Sequence, residues 1–181
     1  MHRTRRALLA SLLVALTTAF GYALAGVPNV ELMTMSVFVA GYLLGAPTGA
    51  VVGGASIALH SIFNPFGPAP PPVFIAQIAG FAAIGLCGGI VGPLITAARS
   101  RVVAIALSGL VGLLLTLTYD VLTNLGAFVL VTDERTLPNL WKFVLGGVAF
   151  TAMHLVWNTG LFLATLRPVL AVLTHYREEL T

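Results

Sequence analysis

The sequence predicts an all-α integral membrane protein, a compact bundle of six transmembrane helices. Three observations carry that expectation. The chain is 58% hydrophobic and only 8% charged, against roughly 25% charged in an average soluble domain. Its mean hydropathy of +0.99 is that of a chain that hides little of its apolar surface from its surroundings. Its few basic residues punctuate the ends of apolar runs, which is the positive-inside pattern of membrane proteins and not the clustered basic face that binds nucleic acid. With 181 residues there is room for a single membrane domain, 1–181, and nothing else of size.

Six apolar runs can be drawn, judged at about 1.5 Å of rise per residue against about 30 Å of hydrocarbon. They cover residues 7–25, 32–44, 48–63, 73–98, 102–131 and 140–166. The first follows Arg3, Arg5 and Arg6 and carries Ala15, Ala19 and Ala23 at four-residue spacing. Its Arg-rich start and the Ala23-Leu24-Ala25 stretch before Gly26 also imitate a cleavable secretory signal. A polytopic protein keeps such a helix as an anchor, and retention is the expectation here.

The second and third runs are short for full spans, with a turn signal at Gly45-Ala46-Pro47 between them. They are expected as two tilted or partly sunken helices; one re-entrant hairpin is the other reading. Before the fourth run lies Pro68-Ala69-Pro70-Pro71-Pro72, expected as a stiff, extended, non-helical rim. Gly49 and Gly53 in the third run, and Gly85, Gly88, Gly89 and Gly92 in the fourth, form small-residue stripes that let helix backbones approach in lipid. The fifth run is long enough to tilt or to dip at its outer end.

With the N-terminus inside, the inner segments hold Arg3, Arg5, Arg6, Arg99, Arg101, Arg167 and Arg177, while only Arg135 and Lys142 lie in or beside the outer loops. That asymmetry predicts an even number of spans and both termini in the cytoplasm.

Three polar pairs interrupt the apolar runs at four-residue spacing: His60/Asn64, Asp120/Asn124 and His154/Asn158. Such spacing puts both members of a pair on one helix face. Polar groups in hydrocarbon face a bundle interior or a wet cavity, and all three pairs fall toward the outer side of the predicted topology. Asp120 is the one acidic residue well inside an apolar run, with Tyr119, Thr123 and Asn124 beside it. It reads either as a ligand contact or as a structural tie to His154 or His60. His154, Trp157 and Asn158 offer an imidazole, a stacking ring and an amide, a set that suits a flat heteroaromatic molecule. Gln77 opens the fourth run on the same side, and Asn29 and Glu31 lie in the first outer loop.

No HExxH, no GxSxG elbow and no lysine-bearing phosphate loop occurs. The expectation is therefore a binding protein, not an enzyme, with no catalytic residue, metal or cofactor. Cys87 stands alone and cannot form an internal disulfide. Two rival classes stay open: a non-transporting structural membrane protein of the cell envelope, and a solitary proton-coupled permease using Asp120 and His154.

Several stretches carry a resemblance. They are the alanine-striped first run, Val27-Pro28-Asn29-Val30-Glu31-Leu32, Gly41-Tyr42-Leu43-Leu44-Gly45, Phe63-Asn64-Pro65-Phe66-Gly67 and Asp120-Val121-Leu122-Thr123-Asn124. Together they resemble the substrate-binding S components of energy-coupling factor (ECF) transporters, across most of the chain. The resemblance implies a six-helix protein of a prokaryotic inner (plasma) membrane that captures a vitamin or related micronutrient at its outer face. It implies a transmembrane scaffold subunit and two ATPase subunits as partners, with Ala15, Ala19 and Ala23 docking the scaffold. It also implies a lid in the first outer loop, carrying Asn29 and Glu31 over the pocket.

Overall fold

In an apolar run every backbone N–H and C=O must find a partner within the segment, so the runs fold as helices. The computed structural model describes residues 2–180, and side chains for residues 3–177; Met1 and Thr181, the ends of the expected 1–181 domain, lie outside the described residues. The elements are α1 (His2–Ala23), α2 (Met33–Leu44), α3 (Ala46–Ile62), α4 (Pro71–Ala97), α5 (Arg101–Val131), α6 (Leu137–Gly146), α7 (Val148–Leu161) and α8 (Arg167–Leu180). A π-helical turn, Phe162–Leu166, joins α7 to α8 without a break.

Counting α7–π–α8 as one rod, the described residues form seven helices, not the expected six. The correction lies in the last run, 140–166, which Gly147 divides. Gly147 closes α6, its N–H bonding to the Phe143 and Val144 carbonyls, and α7 begins at the next residue. The Thr136 side chain caps α6 at the Asn139 N–H, so the helix has its own start signal. The rod then runs past residue 166. Pro168 lacks an N–H and its ring would collide with the Ala164 carbonyl in a regular helix; the wider π turn makes room for it.

Four helices are long and apolar enough to cross a membrane: Arg3–Ala23, Pro71–Ala97, Arg101–Val131 and Val148–Arg177. The chain thus has the make-up of a membrane-embedded protein. With 12 residues α2 reaches only about 18 Å. It is joined to α3 through Gly45 alone, whose φ of +81° is the left-handed region that glycine enters without a Cβ penalty. α2 is largely buried, whereas α3 exposes Val51, Leu59 and Ile62 on one face. The proline run is corrected as well. Pro70 is extended, but Pro71 and Pro72 open α4, where a missing N–H loses no helical bond.

α4 packs against α2, α3 and α5. The glycine stripes form its seams. A Cβ on Gly85 would overlap the Gly49 carbonyl, one on Gly53 the Phe81 carbonyl, and one on Gly88 the Phe38 carbonyl. Around this seam lies the core of Val37, Phe38, Tyr42, Phe81, Ile84, Phe162 and Leu166, with Cys87 packed against it as a small apolar group. Phe38 meets Phe162 edge-on at 5.7 Å. At the end holding Gly45, Arg6 donates to the Leu44 carbonyl and Arg177 to the Tyr42 carbonyl, closing the bundle.

Candidate functional site

The opposite end, where α1, α3 and α5 finish and α2, α4 and α7 begin, encloses a cavity of about 390 Å³. That size lies in the lower part of the roughly 300–1,000 Å³ range of small-molecule sites. Nine of the sequence-predicted residues line it together: Asn29, Glu31, His60, Asn64, Gln77, Tyr119, Asp120, Asn124 and His154.

Trp157 and Asn158 are not in the lining. They lie farther along α7 and hold Glu31 in place. The Trp157 indole N–H donates to the Glu31 carbonyl at 3.1 Å, and the Asn158 amide to Glu31 Oε1 at 2.8 Å. Asn158 is fully buried, so its contact with Glu31 is shielded from competing water.

The centre of the site is a carboxylate–imidazole–carboxylate row. His154 Nδ1 lies 2.8 Å from Asp120 Oδ1, joining two of the polar pairs across α5 and α7. Its Nε2 lies 3.8 Å from Glu31 Oε1. Asp120 is 8% exposed, and its second oxygen, Oδ2, has no hydrogen-bond partner. Glu31 precedes α2 and uses its other oxygen, Oε2, to accept from the Thr34 N–H at 2.8 Å. Burial pushes the Glu31 carboxyl up, but His154 and Thr34 together outweigh it and hold the group below its ordinary value of 4.5.

The loop that carries Glu31 is fixed at a second point. Asn29 adopts φ +60°, a left-handed conformation that Asn tolerates better than most residues, and its amide donates to the Phe150 carbonyl at 3.0 Å. The loop therefore lines the cavity, with Asn29 and Glu31 tied to α7 and Glu31 also to the start of α2.

Asn64, Gln77, His60 and Tyr119 are each held by a contact of their own. Asn64 lies past the end of α3, where its Oδ1 accepts from the Phe66 N–H at 2.9 Å. Gln77 accepts from the Ser61 hydroxyl at 2.7 Å, tying α4 to α3. His60 stacks at a tilt on Tyr22, 5.2 Å between centroids, beneath Gly21, where a Cβ would meet the imidazole. Tyr119 lies against α4 because Gly80 leaves room for its ring, and it meets Phe81 edge-on at 5.3 Å.

Sequence reasoning did not select Thr34, Phe66, Phe81, Phe150 or Thr151, which also line the cavity. Phe150 and Thr151 precede His154 by four and three residues, so helical spacing alone could have found them. Phe66 and Phe81 carry no such signal, since an apolar wall and a core position look alike in sequence. No group of three His, Cys, Asp or Glu side chains among the described residues is arranged to hold a metal ion.

Ala15, Ala19 and Ala23 are exposed on the outer face of α1, in company with Leu8, Leu12 and Leu16. The opposite face of α1 packs Leu9, Leu13 and Val14 against α2 and α3. No protein-family model, curated protein or solved structure matches the chain.

Proposed function

We propose that the protein is a substrate-binding membrane subunit that takes up a small, ring-bearing micronutrient of vitamin type in this cavity, in the manner of an ECF S component. The observation that carries the reading is the convergence of nine polar side chains from five segments on one cavity under a tethered loop. A purely structural membrane protein has no use for so many hydrogen-bonding groups around an open space.

Binding, not catalysis, is the proposed activity, at the outer face of a prokaryotic plasma membrane with both termini cytoplasmic. The basic residues gathered toward the Gly45 end support that orientation. Transport then requires a scaffold subunit and two ATPases. The exposed alanine face of α1 supports scaffold docking there, since small side chains allow close helix contact in lipid. The row Glu31–His154–Asp120 favours one competing reading, a solitary proton-coupled carrier.

Native mass spectrometry of the detergent-purified chain is expected to reveal a co-purified small molecule. Replacing Ala15 and Ala19 by Leu should abolish uptake in cells supplied with the scaffold and ATPases while leaving that molecule bound. Uptake against a gradient by the lone chain in liposomes, driven by pH, would instead establish the carrier.

A further inference from the structure

The charges around the cavity are one-sided. Glu31 and Asp120 present carboxylates, and among the described residues no Lys or Arg lines the space. His154 stands between these two carboxyl groups, 2.8 Å from Asp120 Oδ1 and 3.8 Å from Glu31 Oε1. Burying such a row is costly unless a positive group completes it. The neighbours already satisfy most of its acceptors: Glu31 accepts from Thr34 and Asn158, and Asp120 Oδ1 pairs with His154. One acceptor remains. Asp120 Oδ2 is buried in the cavity wall with nothing bonded to it. A buried carboxylate oxygen left unpaired costs as much as a lost charged hydrogen bond, so the site is incomplete without a donor from outside the chain.

Three aromatic rings, Phe81, Tyr119 and Phe150, line the same cavity as Asp120. Ring faces attract cations and stack on flat heterocycles. We infer that the ligand is a small organic cation, a nitrogen heterocycle or amidine-like group whose N–H bonds to Asp120 Oδ2 while its ring lies among these aromatics. The wall disfavours ligands recognised through a carboxylate or phosphate: among the described residues it holds no Lys or Arg, and of its two imidazoles, His60 and His154, the second already lies between two carboxyls. The inference rests on the binding reading above and narrows it to one charge class.

A ring-matched series tests it on the full chain in detergent: benzamidinium, benzamide and benzoate, followed by isothermal titration calorimetry. Benzamidinium should bind about ten-fold or more tighter than benzoate, with benzamide between, as a charge-assisted bond exceeds a neutral one. Asp120→Asn keeps an oxygen to accept from His154 but removes the charge, so it should fold normally and lose the preference. Thr123→Trp, or Asn124→Trp if the first does not fold, fills the cavity and should abolish binding of all three probes.

Equal or tighter binding of benzoate or benzamide, still abolished by the filled cavity, overturns the cation assignment and leaves the cavity as the binding site. Binding that survives the filled cavity lies elsewhere and overturns both readings. Failure of all three probes to bind, or a co-purified anion found by native mass spectrometry, also overturns the cation assignment.

Discussion

At the Gly45 end of the bundle, helix backbones touch. Gly41, Gly49 and Gly85 bring α2, α3 and α4 together with no side chain between them, and Arg6 and Arg177 seal the last carbonyls of α2. At the cavity end, side-chain hydrogen bonds link the helices around a space, Ser61 of α3 to Gln77 of α4 and His154 of α7 to Asp120 of α5. One end is held by contact that tolerates no added atom; the other by polar bonds around a space. The contrast predicts that stability depends on the first end and the proposed recognition on the second. A substitution at either should report through a different measurement.

The largest effect is expected at the glycine seam. Gly85→Val places a branched side chain against the Gly49 backbone, which cannot move aside as a flexible side chain can. Overpacking of this kind costs about 1–3 kcal/mol and more where backbone must shift. Thermal unfolding in detergent should show a large loss, and ligand binding should vanish only with the fold. A fully stable variant would show that the two ends do not divide the roles in this way.

His154→Ala comes next. It removes the hydrogen bond to Asp120 Oδ1 and leaves both oxygens of a buried carboxylate unpaired, a cost of about 1–3 kcal/mol. Unlike the glycine variant, it should abolish ligand binding at temperatures where the chain is still folded. Loss of folding equal to that of Gly85→Val would make the row a structural clamp.

The smallest effect should follow release of the loop. Asn158→Ala removes one hydrogen bond to Glu31, worth about 1 kcal/mol, and should speed amide exchange over residues 29–32 with little change in the unfolding midpoint. Acid should act the same way. The Glu31 carboxyl lies below its ordinary value of 4.5 in the folded chain, so its contribution is complete above that value and is lost as pH falls through the folded one. Loop exchange should rise on acidification below about pH 4.5 in the wild type, and much less in Glu31→Gln.

Most of the architecture was legible because hydropathy and helical period act locally. The starts of α2 and α5 fall within a residue of the expected runs. The departures have local causes of another kind. Gly147 splits a run whose apolar character is continuous, and Pro71 and Pro72 open a helix although proline inside one would break it. In the site, the four-residue spacing of polar pairs picked out five of the nine lining residues, His60, Asn64, Asp120, Asn124 and His154. It could not separate Asn158, which braces Glu31, from Asn124, which lines the space, because both obey the same period. Pairing between helices, such as Asp120 with His154, depends on tertiary packing that no single run encodes.

The anchors of the loop have a consequence for how the molecule is made. Asn29 reaches a partner 121 residues away, and Glu31 is held by groups 126 and 127 residues away. The glycine seam joins helices that follow one another directly in the chain. Contacts of short sequence separation close early and distant ones late, since each must overcome the entropy of a longer loop. During synthesis the seam can close while α7 is still unmade, and the cavity gains its roof only when the final third of the chain arrives. The bonds of Asn29 and Glu31 to α7 are thus among the last contacts the nascent protein can form.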